Sequence, residues 1–109
     1  MDTNIKNLPE GDYMTELGYS QCYPWKVMRR TAQTAVLQRV KTAPDPDWKP
    51  EMHSGGFCAH CSNQGRQTWL YDGLENHQIR VRLNKHGQFV RRGVRFIAGS
   101  CRYFYDYNF

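Results

Sequence analysis

From Ile79 to Asn84 the chain alternates without a break. Ile79, Val81 and Leu83 are apolar, and Arg80, Arg82 and Asn84 between them are polar. A period of two places one set on each face of an extended strand, so this segment reads as a half-buried β-strand. It is followed by the turn Asn84-Lys85-His86-Gly87, in which Gly87 can take positive φ. Gln88 to Arg91 then returns as a second strand, with Phe89 and Arg91 on one face and Val90 on the other. Arg92-Gly93 turns again, and Val94 to Ala98 makes a third strand.

The same signals recur upstream. Tyr13 to Tyr19 is rich in β-formers and lacks helical spacing. Ser20 to Pro24 reads as a turn. Trp25 to Arg29 gives a strand with Trp25 and Val27 on one face. Thr34 to Lys41 gives another, with Val36 and Val40 on one side; a helix through 31–40 competes for the same residues. Gln67 to Tyr71 is a strand with Trp69 and Tyr71 on one face, and the chain finishes in a last strand plus an aromatic tail. Residues 42–57 hold Pro44, Pro46, Pro50, Gly55 and Gly56, which exclude a helix or a central strand and predict one long loop. Trp48, within that loop, either folds back on the core or faces a partner.

Many short strands parted by turns predict an all-β fold: a small, partly open, SH3-like barrel of about five to seven strands. The chain has 109 residues, enough for one domain. Residues 1–10 read as a flexible lead-in and 11–109 as the β-rich unit. No apolar run reaches the roughly 20 residues that span a bilayer. Met1 to Glu10 carries no apolar signal segment. The expectation is a cytoplasmic protein without a membrane partner.

The net charge of +5 is concentrated. Arg80, Arg82, Lys85, Arg91, Arg92, Arg95 and Arg102 fall between Gln78 and Arg102 with no acidic residue among them. The other eight basic residues are outnumbered by the ten acidic ones. A localised positive surface suits a polyanionic partner, whether nucleic acid or the acidic patch of a protein. A solvated face that keeps the protein dispersed is the alternative. Arg80, Arg82, Lys85, Arg91, Arg92 and Arg95 are the candidate contact residues.

Cys58-x-x-Cys61, with His53 and His60 nearby, has the spacing of half a zinc site. No second pair exists, and Cys22, Cys101 or His53 would have to arrive through folding. The competing reading makes Phe57 and Cys61 small-core residues beneath the loop. Trp48, His60, Asn63 and Gln64 are candidate recognition residues. Amides beside aromatics can read base edges or peptide groups, or can tie a loop down by bonding its backbone. His60 has no nucleophile or paired carboxylate in a recognisable arrangement beside it, and Gly55-Gly56 is not a phosphate-binding loop. The chain is therefore read as non-enzymatic.

The stretch from Gly55 to Trp69 contains Gly55-Gly56-Phe57, His60-Cys61, Asn63-Gln64, Gln67 and Trp69 in order, and the chain ends Tyr105-Asp106-Tyr107-Asn108-Phe109. Both features resemble small proteins encoded by tailed phages and prophages. Gly11-Asp12 with Thr15, Leu17 and Ser20, and the Lys85 to Val90 turn, are similar to the same family. Cys58 departs from its pattern, falling in a variable spacer. The resemblance implies phage origin and a small β fold, without a reaction. With the basic segment, it leads to the expectation of a binding protein that blocks a host protein or ribonucleoprotein complex, an anti-CRISPR or other anti-defence inhibitor. A direct DNA- or RNA-binding module and a zinc-stabilised interaction domain are the alternatives.

Overall fold

A computed structural model describes residues 1–55 and 58–108, with the side chains of Gly55 and Cys58 also outside the description. The strands are β1 (Asp2–Thr3), β2 (Ile5–Lys6), β3 (Tyr13–Leu17), β4 (Cys22–Arg30), β5 (Thr34–Pro44), β6 (Met52–Gly55), β7 (Cys58–Cys61), β8 (Trp69–Leu83), β9 (Phe89–Arg91), β10 (Val94–Ala98) and β11 (Ser100–Cys101). The main sheet runs β2-β8-β5-β4-β3-β10-β9, and β8 also pairs with β9. That last pairing, Arg82↔Val90 and Leu83↔Phe89, closes six of the strands into a barrel and leaves β2 outside it. The barrel is closed, where a partly open one was expected, and closure removes the exposed edges of its sheet.

Closure depends on the length of β8. Trp69–Tyr71 of the strand expected at 67–71 and the strand expected from Ile79 are parts of one 15-residue strand, and Gln67 and Thr68 lie before it. Its register against β5 shifts between Gln38 and Val40 and again between Val40 and Thr42, and Gly73 within it sits at φ +91°. Extra residues of this kind bend a strand and increase its twist. β8 can thereby pair with β2 at Trp69–Leu70 and with β9 at Arg82–Leu83.

Met14, Trp25, Ala35, Leu37, Val81, Phe89 and Phe96 form the barrel core, with Val27, Ile79 and Leu83 packed against it. The period-two expectation for Ile79, Val81 and Leu83 is met. Thr34–Pro44 is a strand, so the helical alternative over 31–40 fails. Val36 and Val40 lie on the face opposite Ala35 and Leu37. Val40 is covered there, and Val36 is only half-buried. Pro24, expected in a turn, is buried inside β4 opposite Thr15. The β4–β5 ladder stops at Trp25↔Arg39, so the missing N–H of Pro24 interrupts no pairing on that side.

A second apolar cluster joins Ile5, Tyr13, Val40 and Cys101, with Leu8, Trp69, Tyr71, Leu74 and Tyr103 against it. It includes both ends of the chain. Residues 1–10, expected to be a loose lead-in, are built into the fold: β1 pairs in parallel with β11, β2 with β8, and Ile5 is buried. The loop expected over 42–57 is shorter. β5 continues to Pro44, and Met52–Gly55 pairs with Cys58–Cys61 as a separate hairpin. Gly56 and Phe57 lie outside the described residues.

Candidate functional site

Strand pairing sets where the cationic side chains stand. Thr34 is opposite Arg82, Arg82 opposite Val90, and Val90 opposite Arg95. These four therefore lie side by side across β5, β8, β9 and β10. A second row runs Arg29, Val36, Arg80 across β4, β5 and β8. Paired residues project to the same face of a sheet. Since Val81 is buried in the core, Arg80 and Arg82 on either side of it face outward. Neighbouring strands are about 4.8 Å apart and residues rise about 3.3 Å, so the backbones of Arg80 and Arg82 are about 7 Å apart. Those of Arg82 and Arg95, two strands away, are about 10 Å apart.

Arg29, Arg80, Arg82 and Arg95 are all exposed. The ion pairs of the described residues are Lys6 with Asp45 and Asp47, Arg30 with Asp12, Arg39 with Glu75, Lys41 with Asp72, and Arg102 with Asp2. None involves the four wall arginines. Two half-buried valines, Val36 and Val90, lie among them. The wall thus offers guanidinium groups carried on paired strands over a partly apolar floor, a surface able to make bidentate bonds to carboxylates or phosphates.

The remaining candidates divide. Lys85 sits in the β8–β9 turn, whose Asn84 Oδ1 accepts from the backbone N–H groups of His86 and Gln88 at 3.0 and 2.9 Å. Arg92, at φ +50°, and Gly93, at φ +79°, form the tight turn at the other end of β9. Arg91 and Arg92 line a recess of about 280 Å³ with Glu16, Trp25, Arg39 and His77. Its floor is tied down by Trp25 Nε1 donating to Glu16 at 2.9 Å, and Arg39 lies over the Tyr23 ring at 4.3 Å. The six predicted residues therefore make a wall, a turn and a recess, not one stripe. Arg29 was not among them. The Arg29-Arg30 doublet was visible, but its position beside Arg80 depends on a cross-strand register that no local pattern encodes.

The polar candidates near the loop have a different task. Asn63 is buried; its Oδ1 accepts from the Glu51 N–H at 2.8 Å, and its Nδ2 donates to the Lys49 carbonyl at 2.8 Å. Gln64 Oε1 accepts from the Tyr107 N–H at 2.9 Å. Gln67 holds both backbone groups of Tyr105, accepting from its N–H and donating to its carbonyl, each at 2.9 Å. Asn4 does the same to Tyr103 at 3.1 and 2.7 Å, and Asn108 to Cys61 at 2.8 and 3.0 Å. A side-chain amide carries the donor and acceptor of a peptide group, so these residues replace a missing strand neighbour. The end of the chain, expected to be a last strand plus an aromatic tail, is instead fastened by these amides. Among the described residues of the tail Phe104 alone forms a bridge, to Cys22, and Phe109 lies outside the described residues.

Trp48 folds back, its ring 5.7 Å from that of Tyr107, and its Nε1 is buried without a partner among the described residues. His60 is exposed on β7 opposite His53, whose Nε2 is 2.9 Å from Ser62 Oγ. As for the zinc reading, Cys61 is buried with its thiol directed at Asn63 Oδ1 at 3.4 Å. Cys58 contributes no side chain to the described residues. Among those residues no three His, Cys, Asp or Glu side chains gather into a cation site. No described helix is long and apolar enough to cross a membrane. No family model, curated protein or solved structure matches the chain.

Proposed function

We propose that this is a non-enzymatic binding protein of phage origin that occludes an anionic surface on a host nucleic-acid-handling complex. An anti-CRISPR or other anti-defence inhibitor, acting in the host cytoplasm, is the concrete form. The observation that carries the reading is the set of Arg29, Arg80, Arg82 and Arg95, placed on one face by strand pairing and with no ion pair to any of them among the described residues. Like charges placed together repel. A partner that neutralises them regains that energy, and the field steers an anionic partner toward the wall. The phage-like motif supports the source, and the basic wall supports the type of target.

Changing Arg80 and Arg82 together to Glu tests the reading. Both side chains are exposed, so the melting temperature should hold while protection of an infecting phage against host immunity is lost in a plaque assay. Retained protection with an intact fold would assign the wall to solvation alone. Direct binding of nucleic acid is the second reading, favoured by the same arrangement of arginines on one face. If four arginines neutralise four phosphates, log K against log salt should fall with a slope of about −3.6 on duplex DNA and about −2.8 on single strands. Absence of binding to bare oligonucleotides leaves the protein target.

A further inference from the structure

Between the β8–β9 turn, the β4–β5 turn and β10 lies a pocket of about 580 Å³. This is within the roughly 300–1,000 Å³ of ordinary ligand clefts. Its lining is mostly apolar: Leu17, Leu83, Phe89, Phe96 and Ile97 contribute, and Ile97 is 47% exposed. Two guanidinium groups border it and they differ. Arg30 is already bound to Asp12 at 2.8 Å and lies 5.1 Å from the centre of the Phe89 ring, so it acts as a neutralised wall. Arg95 has no ion pair among the described residues and also belongs to the row with Arg82. The pocket and the cationic wall therefore share a residue and form one continuous surface.

We infer that the pocket receives an apolar, preferably aromatic, side chain from an acidic segment of the partner protein, with Arg95 and Arg82 binding the carboxylates that flank it. The inference rests on the proposed binding function and narrows the partner to a protein. Charge complementarity argues for the acidic flanks. The apolar lining argues for the anchor, which a sugar-phosphate backbone lacks. Buried anchors ringed by polar contacts are where interfaces concentrate their binding energy.

The test uses the full chain and three probes: a short Asp/Glu-rich peptide with one central Phe, the same peptide with Ser in its place, and oligothymidylate. Octanoate serves as a small amphiphilic competitor. The Phe peptide should bind about tenfold or more tightly than the Ser peptide. Ile97→Glu should remove that advantage, and Arg95→Glu should weaken both peptides by about tenfold; both sites are exposed, and unchanged melting curves verify the fold. Equal binding of the two peptides overturns the anchor while leaving the cationic wall in place. Binding of oligothymidylate but neither peptide overturns the protein partner. Octanoate binding as tightly as the Phe peptide would make the pocket a small-ligand site and overturn the inference. No binding by any probe overturns this inference, while the function it rests on is decided separately by the Arg80 and Arg82 plaque assay.

Discussion

Replacing Gln67 with alanine removes four hydrogen bonds from a site where the side chain is only 2% exposed. Its Nε2 donates to the carbonyls of Gln64 and Tyr105, and its Oε1 accepts from Tyr105 N–H and Trp69 Nε1, all at 2.9 Å. At about 1 kcal/mol net for each bond, the loss starts near 4 kcal/mol. The Trp69 indole N–H, left without an acceptor beside the second cluster, adds to it. Water reaching the backbone of Tyr105, whose side chain is 45% exposed, subtracts from it. The expected destabilisation is about 3–5 kcal/mol, a large share of the roughly 5–15 kcal/mol by which such domains are stable. At about 5 °C per kcal/mol, the melting temperature should fall by about 15–25 °C. Circular dichroism measures the fall, and amide exchange at Tyr105 locates it, since that N–H should lose protection first. Gln67→Glu retains the acceptor and discards the donor, so it should also be destabilised. A loss below about 1 kcal/mol in Gln67→Ala, with Tyr105 exchange unchanged, would show that the amide does not hold the tail.

The Asp45 carboxylate gives a pH test. Lys6 Nζ at 2.8 Å, then Thr68 Oγ1 at 2.6 Å and the Asp47 N–H at 3.0 Å, lower its pKa from 3.8 to about 2. A depressed folded pKa contributes stability that is complete above the ordinary value and is lost as pH falls through the folded one. Wild-type melting temperature should therefore drop between about pH 4 and pH 2, and Asp45→Asn should flatten that drop; equal slopes would refute the assignment. Burial pushes the Cys101 thiol up to about 12, and its side chain is fully enclosed. Iodoacetamide at pH 8 should leave Cys101 unlabelled in the native protein and label it in denaturant; native labelling at the rate of a free thiol would sink that claim.

The strand class, the turns at Gly87 and Arg92-Gly93, and the outward pair Arg80 and Arg82 were legible because each depends on neighbours two to four residues away. Strand periodicity and turn chemistry are local properties. The Pro24 misreading has a local cause too: proline usually marks a turn, but here the adjoining ladder ends where its N–H is lacking. Tying the loop down was one of two readings of the amides Asn63, Gln64 and Gln67; Asn63 does so at Lys49 and Glu51, whereas Gln64 and Gln67 hold the backbone of Tyr107 and Tyr105. That segment lies close to 40 positions away along the chain.

That this chain is built from β-strands, and that positive charge is concentrated in its later part, is written in its amino acids. Alternation and composition suffice for both. The tertiary structure alone decided that the barrel closes, that both termini join one apolar cluster, and that Arg29 from an early strand stands beside Arg80 and, through the β9 strand, Arg95 beside Arg82. Pairing between distant strands is set by how the whole sheet coils and shuts, a property of all six barrel strands together that no short window of residues contains.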